Sequence, residues 1–248
     1  MEIENIIVKI TQEIMQRLEN NKVNSDISLK YPSQDVASAI EHSIMQPDIK
    51  EVQVIAACKE ATEYRFANVC VLPYFVSLVS ELLRGSVVLV CTVVAFPHGA
   101  IPTETKVFEA RDAMDRGAQE LDVGVNISAI KSGKLEEASK DLKKIVSISR
   151  GRARIKAIYE QGLYSTEEKI EVLNIIRESG ADFIKIQNFI TGGKAIPEDV
   201  SFVRSIVGKS VGIKIDGGVS DAETLRGLLV AGANRVGCSK SVKIVRGY

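Results

Sequence analysis

The 248-residue chain is 45% hydrophobic and 26% charged, and its 32 Lys+Arg balance 32 Asp+Glu. It therefore has neither the basic excess of a nucleic-acid binder nor an apolar run of membrane-spanning length, so neither a nucleic acid nor a membrane is an expected partner. Its length suits one or two domains by size and coincides with that of a single (β/α)8 barrel.

The first residues, Met1 to Glu19, place isoleucines at 3, 6, 7, 10 and 14, a helical spacing, and their charges interrupt any apolar centre of a signal peptide. Residues 1–32 thus read as an N-terminal helical extension to a domain spanning 33–248. A helix at about 33–40 and a short strand at Glu41–Ile44 open that domain. Helical patterns follow near 48–64, 74–84, 103–116, 134–149, 165–179, 197–207 and 221–231, with Ser165-Thr166-Glu167-Glu168 supplying a good cap. Between them lie β-branched runs near 67–72, 87–95, 120–126, 153–159, 182–188, 211–216 and 235–239. Continuous apolar strands alternating with helices predict a parallel sheet covered on both sides. Cys58, Cys70, Cys91 and Cys238 stand in hydrophobic surroundings without metal-ligand spacing, which predicts reduced, buried thiols and a cytoplasmic protein.

The helix-to-strand junction recurs as Arg116-Gly117-Ala118, Ser179-Gly180-Ala181 and Ala231-Gly232-Ala233. Each glycine fits the left-handed residue that ends a helix. Five positions on stand Asp122, Lys185 and Gly237, which equivalent junctions would set on one level and one face of their strands. A doubly wound open sheet is the competing architecture, but the glycine-rich phosphate loop expected after its first strand is missing. The expected fold is α/β: a single (β/α)8 TIM barrel with an extra N-terminal helical segment.

Within that frame Lys185 and Lys214 are the most informative residues, because each lies in an otherwise apolar strand. Removing an ammonium from water costs several kcal/mol unless it is paired or neutralised. A lysine of ordinary pKa is neutral in only about one molecule in two thousand at pH 7, and only the neutral amine attacks a carbonyl. Two lysines on adjacent strands would depress one another, producing such an amine. The alternative is a structural one, with each lysine reaching solvent or pairing with Asp216, Asp182 or Glu160. Gly217-Gly218 after the seventh strand and Gly237-Cys238-Ser239 at the end of the eighth fall where such barrels commonly bind phosphate. Of the two histidines, His98 is expected to hydrogen-bond its own loop. Lys156 and Glu160, four residues apart on one strand, are expected to form a structural ion pair. Phe66, Tyr74, Phe75 and Phe108 read as core or interface.

The stretches Val69-Cys70-Val71-Leu72-Pro73-Tyr74, Cys91 to Ala100 with its Phe96-Pro97-His98-Gly99 segment, Glu120-Leu121-Asp122-Val123 and Ala181-Asp182-Phe183-Ile184-Lys185 resemble class I deoxyribose-phosphate aldolases. Glu41 to Pro47 is similar to that family's first-strand segment, and the resemblance covers roughly residues 41–241. It implies a lyase that joins lysine-bound acetaldehyde to glyceraldehyde 3-phosphate, reversibly giving 2-deoxyribose 5-phosphate, with no metal or other cofactor. Lys185 matches the Schiff-base lysine, Lys214 the lysine that lowers its pKa, and Asp122 the acid of the proton relay. The implied substrate and phosphate set is Gly217, Gly218, Cys238, Ser239, Asn188, Ser43 and Cys70. The implied partners are a small phosphorylated sugar or aldehyde and further copies of the chain, as a homodimer or higher homo-oligomer. The chain departs from the family pattern at Ile186-Gln187-Asn188-Phe189, where threonines and a serine are usual, and at Ile215-Asp216. There an extra carboxylate beside the lysine pair would raise its pKa and repel phosphate. These departures keep two alternatives in view: a Schiff-base aldolase for another sugar phosphate, and a non-catalytic sugar-phosphate-binding relative.

Overall fold

A computed structural model describes residues 33–194 and 196–247. Eight parallel strands close into a barrel in chain order, β1 next to β8. The open-sheet alternative is thereby excluded. The proposed N-terminal helical extension lies outside the described residues.

The chain enters through α1 (Ser33–Ala39) into β1 (Ile40–Ile44). Then come α2 (Glu51–Tyr64), β2 (Asn68–Val71), α3 (Val76–Leu82), β3 (Leu89–Val94), α4 (Thr103–Asp115) and β4 (Glu120–Gly124). After β4 stands a short helix that periodicity did not reveal, α5 (Ile127–Lys131). It forms because the Asn126 side chain caps it, accepting from the Ala129 N–H, and this ends the strand two residues earlier than the expected 126. The second half is α6 (Leu135–Ser149), β5 (Arg154–Glu160), α7 (Thr166–Ser179), β6 (Phe183–Gln187), α8 (Pro197–Val207), β7 (Gly212–Asp216), α9 (Ala222–Val230), β8 (Arg235–Cys238) and α10 (Ser241–Arg246).

Local chemistry explains these elements. In α6, Ala138, Leu142, Ile145, Val146 and Ser149 recur at helical spacing and are all buried against the sheet. Ser165 and Glu168 form a reciprocal capping box at the start of α7. Gly117, Gly180 and Gly232 have φ of 105, 81 and 112°, the left-handed conformation expected at the three repeated junctions.

The strands sort their side chains by period two, but not in the usual sense. Leu121, Val123, Ile155, Ala157, Ile184, Ile186, Ile213 and Ile215 point outward, fully buried under the helices. Each large one contributes roughly 1.5–3 kcal/mol by leaving water. The inward positions instead carry Glu41, Asn68, Cys70, Cys91, Glu120, Asp122, Lys156, Lys185 and Lys214, all buried. The apolar core is thus the layer between sheet and helices, and the barrel's interior is a shielded ionic one. Among the described residues, no helix is long and apolar enough to cross a membrane.

Candidate active site

The inward face of β4 to β7 is built in a register that pairs Asp122 with Lys156, Ile158 with Lys185, and Lys185 with Lys214. Asp122 and Lys185 share the interior, as the junction repeat predicted. Along the ladder, however, Lys185 stands two residues beyond Phe183, the partner of Lys156, so the two are not at one register level. The length of the lysine side chain spans the difference, and its Nζ lies 2.8 Å from Asp122 Oδ2.

Asp122 is the hub. Its Oδ1 meets Lys156 Nζ at 3.1 Å and accepts from the Cys91 thiol at 3.3 Å, while its Oδ2 meets Lys185 at 2.8 Å and Lys214 at 2.9 Å. Burial works against its charge, but Lys156, Lys185 and Lys214 outweigh that and hold its carboxyl well below the usual range. Lys214 is completely enclosed, 2.6 Å from Glu41 and 3.5 Å from Asp216. Lys156 sits 2.7 Å from Glu120 and 3.1 Å from Glu41. Its expected pairing with Glu160 does not occur. Glu160 accepts instead from the Gln187 side chain and the Ile190 N–H, because the inward turn of Lys156 carries its ammonium across the barrel toward β1 and β4. Asp182 is occupied by the Ile155 N–H and takes no part.

Lys185 departs from expectation in one respect. Burial and Lys214 push its pKa down, but Asp122 and then Asp216, whose Oδ2 is 2.8 Å away, pull it up by more. The resting side chain is an ammonium held by two carboxylates, and the like-charge effect of Lys214 is overridden. Burial likewise opposes the charge of Lys214, yet Asp122, Asp216 and Glu41 raise its pKa well above the ordinary value. Asp216 is one structural partner that sequence reasoning had named.

Above this cluster opens a cavity of about 650 Å³, lined by Lys185, Asn188, Asp216, Gly217, Gly218, Gly237, Cys238, Ser239 and Ser43, among others. The aromatic wall is Phe96, 5.9 Å under Lys185 Nζ and packed on Phe189 with centroids 4.9 Å apart. Of the expected set, Asp122, Lys214 and Cys70 lie beneath the cavity and do not line it. Cys70 is buried, and charge on it would act on both Lys185 and Lys214. The thiol of Cys238 is turned toward Ser241 Oγ at 3.3 Å, so its contribution to the cavity wall is not that of a free hydroxyl substitute. His98 is exposed and its Nδ1 accepts from the Ala100 N–H, the loop role expected of it. The aromatic group divides: Phe66 and Phe75 are buried, while Tyr74 and Phe108 are 84% and 72% exposed.

Sequence reasoning passed over Glu41, Glu120 and Cys91 as members of the cluster. The available signal was charge at alternate strand positions, Glu120-x-Asp122 above all, which sends both side chains to one face. Among the described residues, two sets of groups could hold a metal ion, Cys70 with Cys91 and Asp122, and Glu41 with Cys91 and Glu120. Lys156 Nζ lies 2.7 to 3.2 Å from Glu120, Glu41, Asp122 and Cys91 Sγ, so an ammonium already supplies the positive charge these donors require.

Comparison with known proteins shows a match over residues 35–238 to the family described as DeoC/LacD family aldolase. The deoxyribose-phosphate aldolase of Clostridium tetani is 42% identical over 211 residues, covering 85% of this chain and 98% of that protein. A solved structure described as QR15, an aldolase, superposes with a TM-score of 0.81 at 34% identity, over 86% of this chain and 95% of the other. The deoxyribose phosphate aldolase of Aeropyrum pernix, described as having a unique tetrameric structure, superposes with a TM-score of 0.80 at 28% identity, over 87% and 91%.

Proposed function

The chain belongs to the DeoC/LacD family of aldolases, and from that premise we propose that it cleaves 2-deoxyribose 5-phosphate reversibly to acetaldehyde and glyceraldehyde 3-phosphate, with Lys185 forming the Schiff base. The observation that carries the choice of lysine is position. Of Lys156, Lys185 and Lys214, only Lys185 lines the cavity, with its Nζ at the floor where a carbonyl can arrive. Lys214 is the cation that shares Asp122 and Asp216 with it, and Asp122 holds both lysines in place.

Charge explains how a strongly paired ammonium can serve. Lysine ammonium and aldehyde give a protonated imine and water, so positive charge on the nitrogen is the same before and after. Asp122 and Asp216 therefore stabilise the iminium as they stabilise the resting ammonium, and their effect falls on the transient neutral amine alone. The iminium then withdraws the electron pair released when the carbon–carbon bond breaks. Gly217, Gly218 and Ser239 offer the phosphate an anion-binding rim at the ends of β7 and β8, with Asn188 and Ser43 on the walls. Asp216, adjoining that rim, favours a second reading in which the acceptor aldehyde differs from glyceraldehyde 3-phosphate. A panel of phosphorylated and neutral acceptors separates the two.

The primary test is to incubate the protein separately with acetaldehyde and with 2-deoxyribose 5-phosphate, reduce with borohydride, and map the added mass by peptide mass spectrometry. A reduced adduct on Lys185 from both is expected. An adduct on Lys214 overturns the assignment of the two lysines, one from acetaldehyde alone supports a different sugar, and none supports a binding protein. Exposed Tyr74 and Phe108, together with the tetrameric description of the Aeropyrum pernix relative, support homo-oligomer formation, which a monomer mass in light scattering would rule out.

A further inference from the structure

Period two along β3 turns Cys91 and Val93 into the barrel, where their register partners are Glu120 and Asp122, and turns Val94 outward beside Val123. Continued as an extended strand, the chain would send Ala95 inward and Phe96 outward. Phe96 instead lines the cavity, with its ring centroid 5.9 Å from Lys185 Nζ. The reversal is made at Ala95, whose φ is 52°, a left-handed conformation that a residue with a Cβ adopts only at a steric cost.

The groups that hold Ala95 in that conformation are identifiable. Its N–H donates to Glu109 Oε2 on α4 at 2.7 Å, a bond strengthened by the charge of the carboxylate. Its carbonyl accepts from the Gly99 N–H at 2.8 Å. A Cβ on Gly124 would stand 2.5 Å from that carbonyl oxygen, so the end of β4 leaves the space the turn occupies. Lys106, three residues before Glu109 on the same helix, donates to the Gly124 carbonyl at 2.9 Å. This fixes α4 against the end of β4 and sets the level at which Glu109 meets Ala95.

We propose that Glu109 is a positioning residue for the Schiff-base chemistry. By holding Ala95 left-handed it turns Phe96 toward Lys185, where the ring covers the carbons of the donor aldehyde bound to that nitrogen. The proposal rests on the Schiff-base reading above. The iminium and the ammonium it replaces carry the same charge, so the attraction of the ring for a cation favours neither. What differs is the apolar carbon of the donor, which meets the ring instead of water. Phe189, packed on Phe96 with centroids 4.9 Å apart, braces that ring.

The test measures the acetaldehyde concentration that gives half-maximal borohydride trapping on Lys185, with no phosphate or acceptor present. Glu109→Ala is expected to raise it about fourfold or more, the worth of covering one methyl group, and Phe96→Ala by at least as much. Glu109→Asp, whose carboxylate is one methylene too short to reach the Ala95 N–H, is a second variant with the same expectation. Two rescues separate positioning from general stability. Glu109→Gln keeps an oxygen that accepts from the Ala95 N–H and should trap like the unmodified protein. Ala95→Gly combined with Glu109→Ala supplies a residue that takes positive φ without steric cost, and should recover most of the lost affinity. Thermal melts confirm that each variant is folded. A rise below about twofold in folded Glu109→Ala and Glu109→Asp, or in Phe96→Ala, overturns the proposal. So does a Glu109→Gln variant as impaired as Glu109→Ala, or a double variant that Ala95→Gly fails to restore. Absence of trapping in the unmodified protein strikes the Schiff-base reading itself, whereas normal trapping there with unshifted Glu109 variants strikes this inference alone.

Discussion

Replacing Glu41 by glutamine tests whether the ionic interior stabilises the barrel or merely fills it. Glu41 is fully buried, with Oε2 2.6 Å from Lys214 Nζ and 3.1 Å from Lys156 Nζ. Burial raises its pKa and so does Asp122, but the two lysines bring it down from 4.5 to about 2. At 1.36 kcal/mol for each tenfold change in proton affinity, that difference corresponds to about 3 kcal/mol of stability at neutral pH. The folded-state value lies below the unfolded one, so the contribution is present above about pH 4.5 and is lost as pH falls toward 2. Glutamine keeps the shape and removes the titration. Urea midpoints compared at matched pH should show Glu41→Gln less stable by about 3 kcal/mol at pH 7, with the deficit reduced to about half by pH 3. A deficit that stays constant from pH 7 to pH 3 would mean the cost is steric. No deficit at pH 7 would mean that the desolvation of three buried charges cancels their attraction, refuting the reasoning.

Three further outcomes are expected. Lys156→Met leaves Glu41, Glu120 and Asp122 without their shared cation and should cost about 3–5 kcal/mol in urea unfolding at pH 7, the deficit narrowing toward pH 4 as Glu41 and Asp122, no longer held down by that ammonium, take up protons. Gly237→Ala puts a methyl where Asp216 Oδ1 lies, and should push that carboxylate off Lys185, removing one of the two acids that raise the lysine's pKa and moving the pH profile of imine trapping to lower pH; an unshifted profile in a folded protein would contradict the placement. Ser165→Ala removes the hydroxyl that accepts from the Glu168 N–H at the start of α7, and calorimetry should find a loss of about 1 kcal/mol, a few degrees in Tm, with imine trapping unchanged.

Much of the barrel was legible because its signals are local. Gly117, Gly180 and Gly232 mark helix ends by backbone chemistry that belongs to one residue, and the apolar runs at Leu121, Ile184 and Ile213 mark strands by a period that neighbours alone create. The site was partly legible for the same reason: Lys185 and Lys214 stood out as charges in apolar strands. The partners of Lys156 were not, since Glu41 is 115 residues away and its meeting with that ammonium depends on barrel closure between β1 and β8. Glu160, close in sequence and on the same strand, was the plausible partner and the wrong one.

The order of residues along the chain is enough to establish that strands and helices alternate, that lysines and acids enter the sheet, and that their side chains take one face. Those are consequences of periodicity and residue type. Only the closed barrel decided the protonation balance, by bringing Asp122 and Asp216 within 2.8 Å of Lys185 and so holding as an ammonium the amine that a lysine pair alone would have neutralised. Coulomb energy in a water-poor interior depends on distances of a few ångströms between residues far apart in the chain, and no reading along the chain contains those distances.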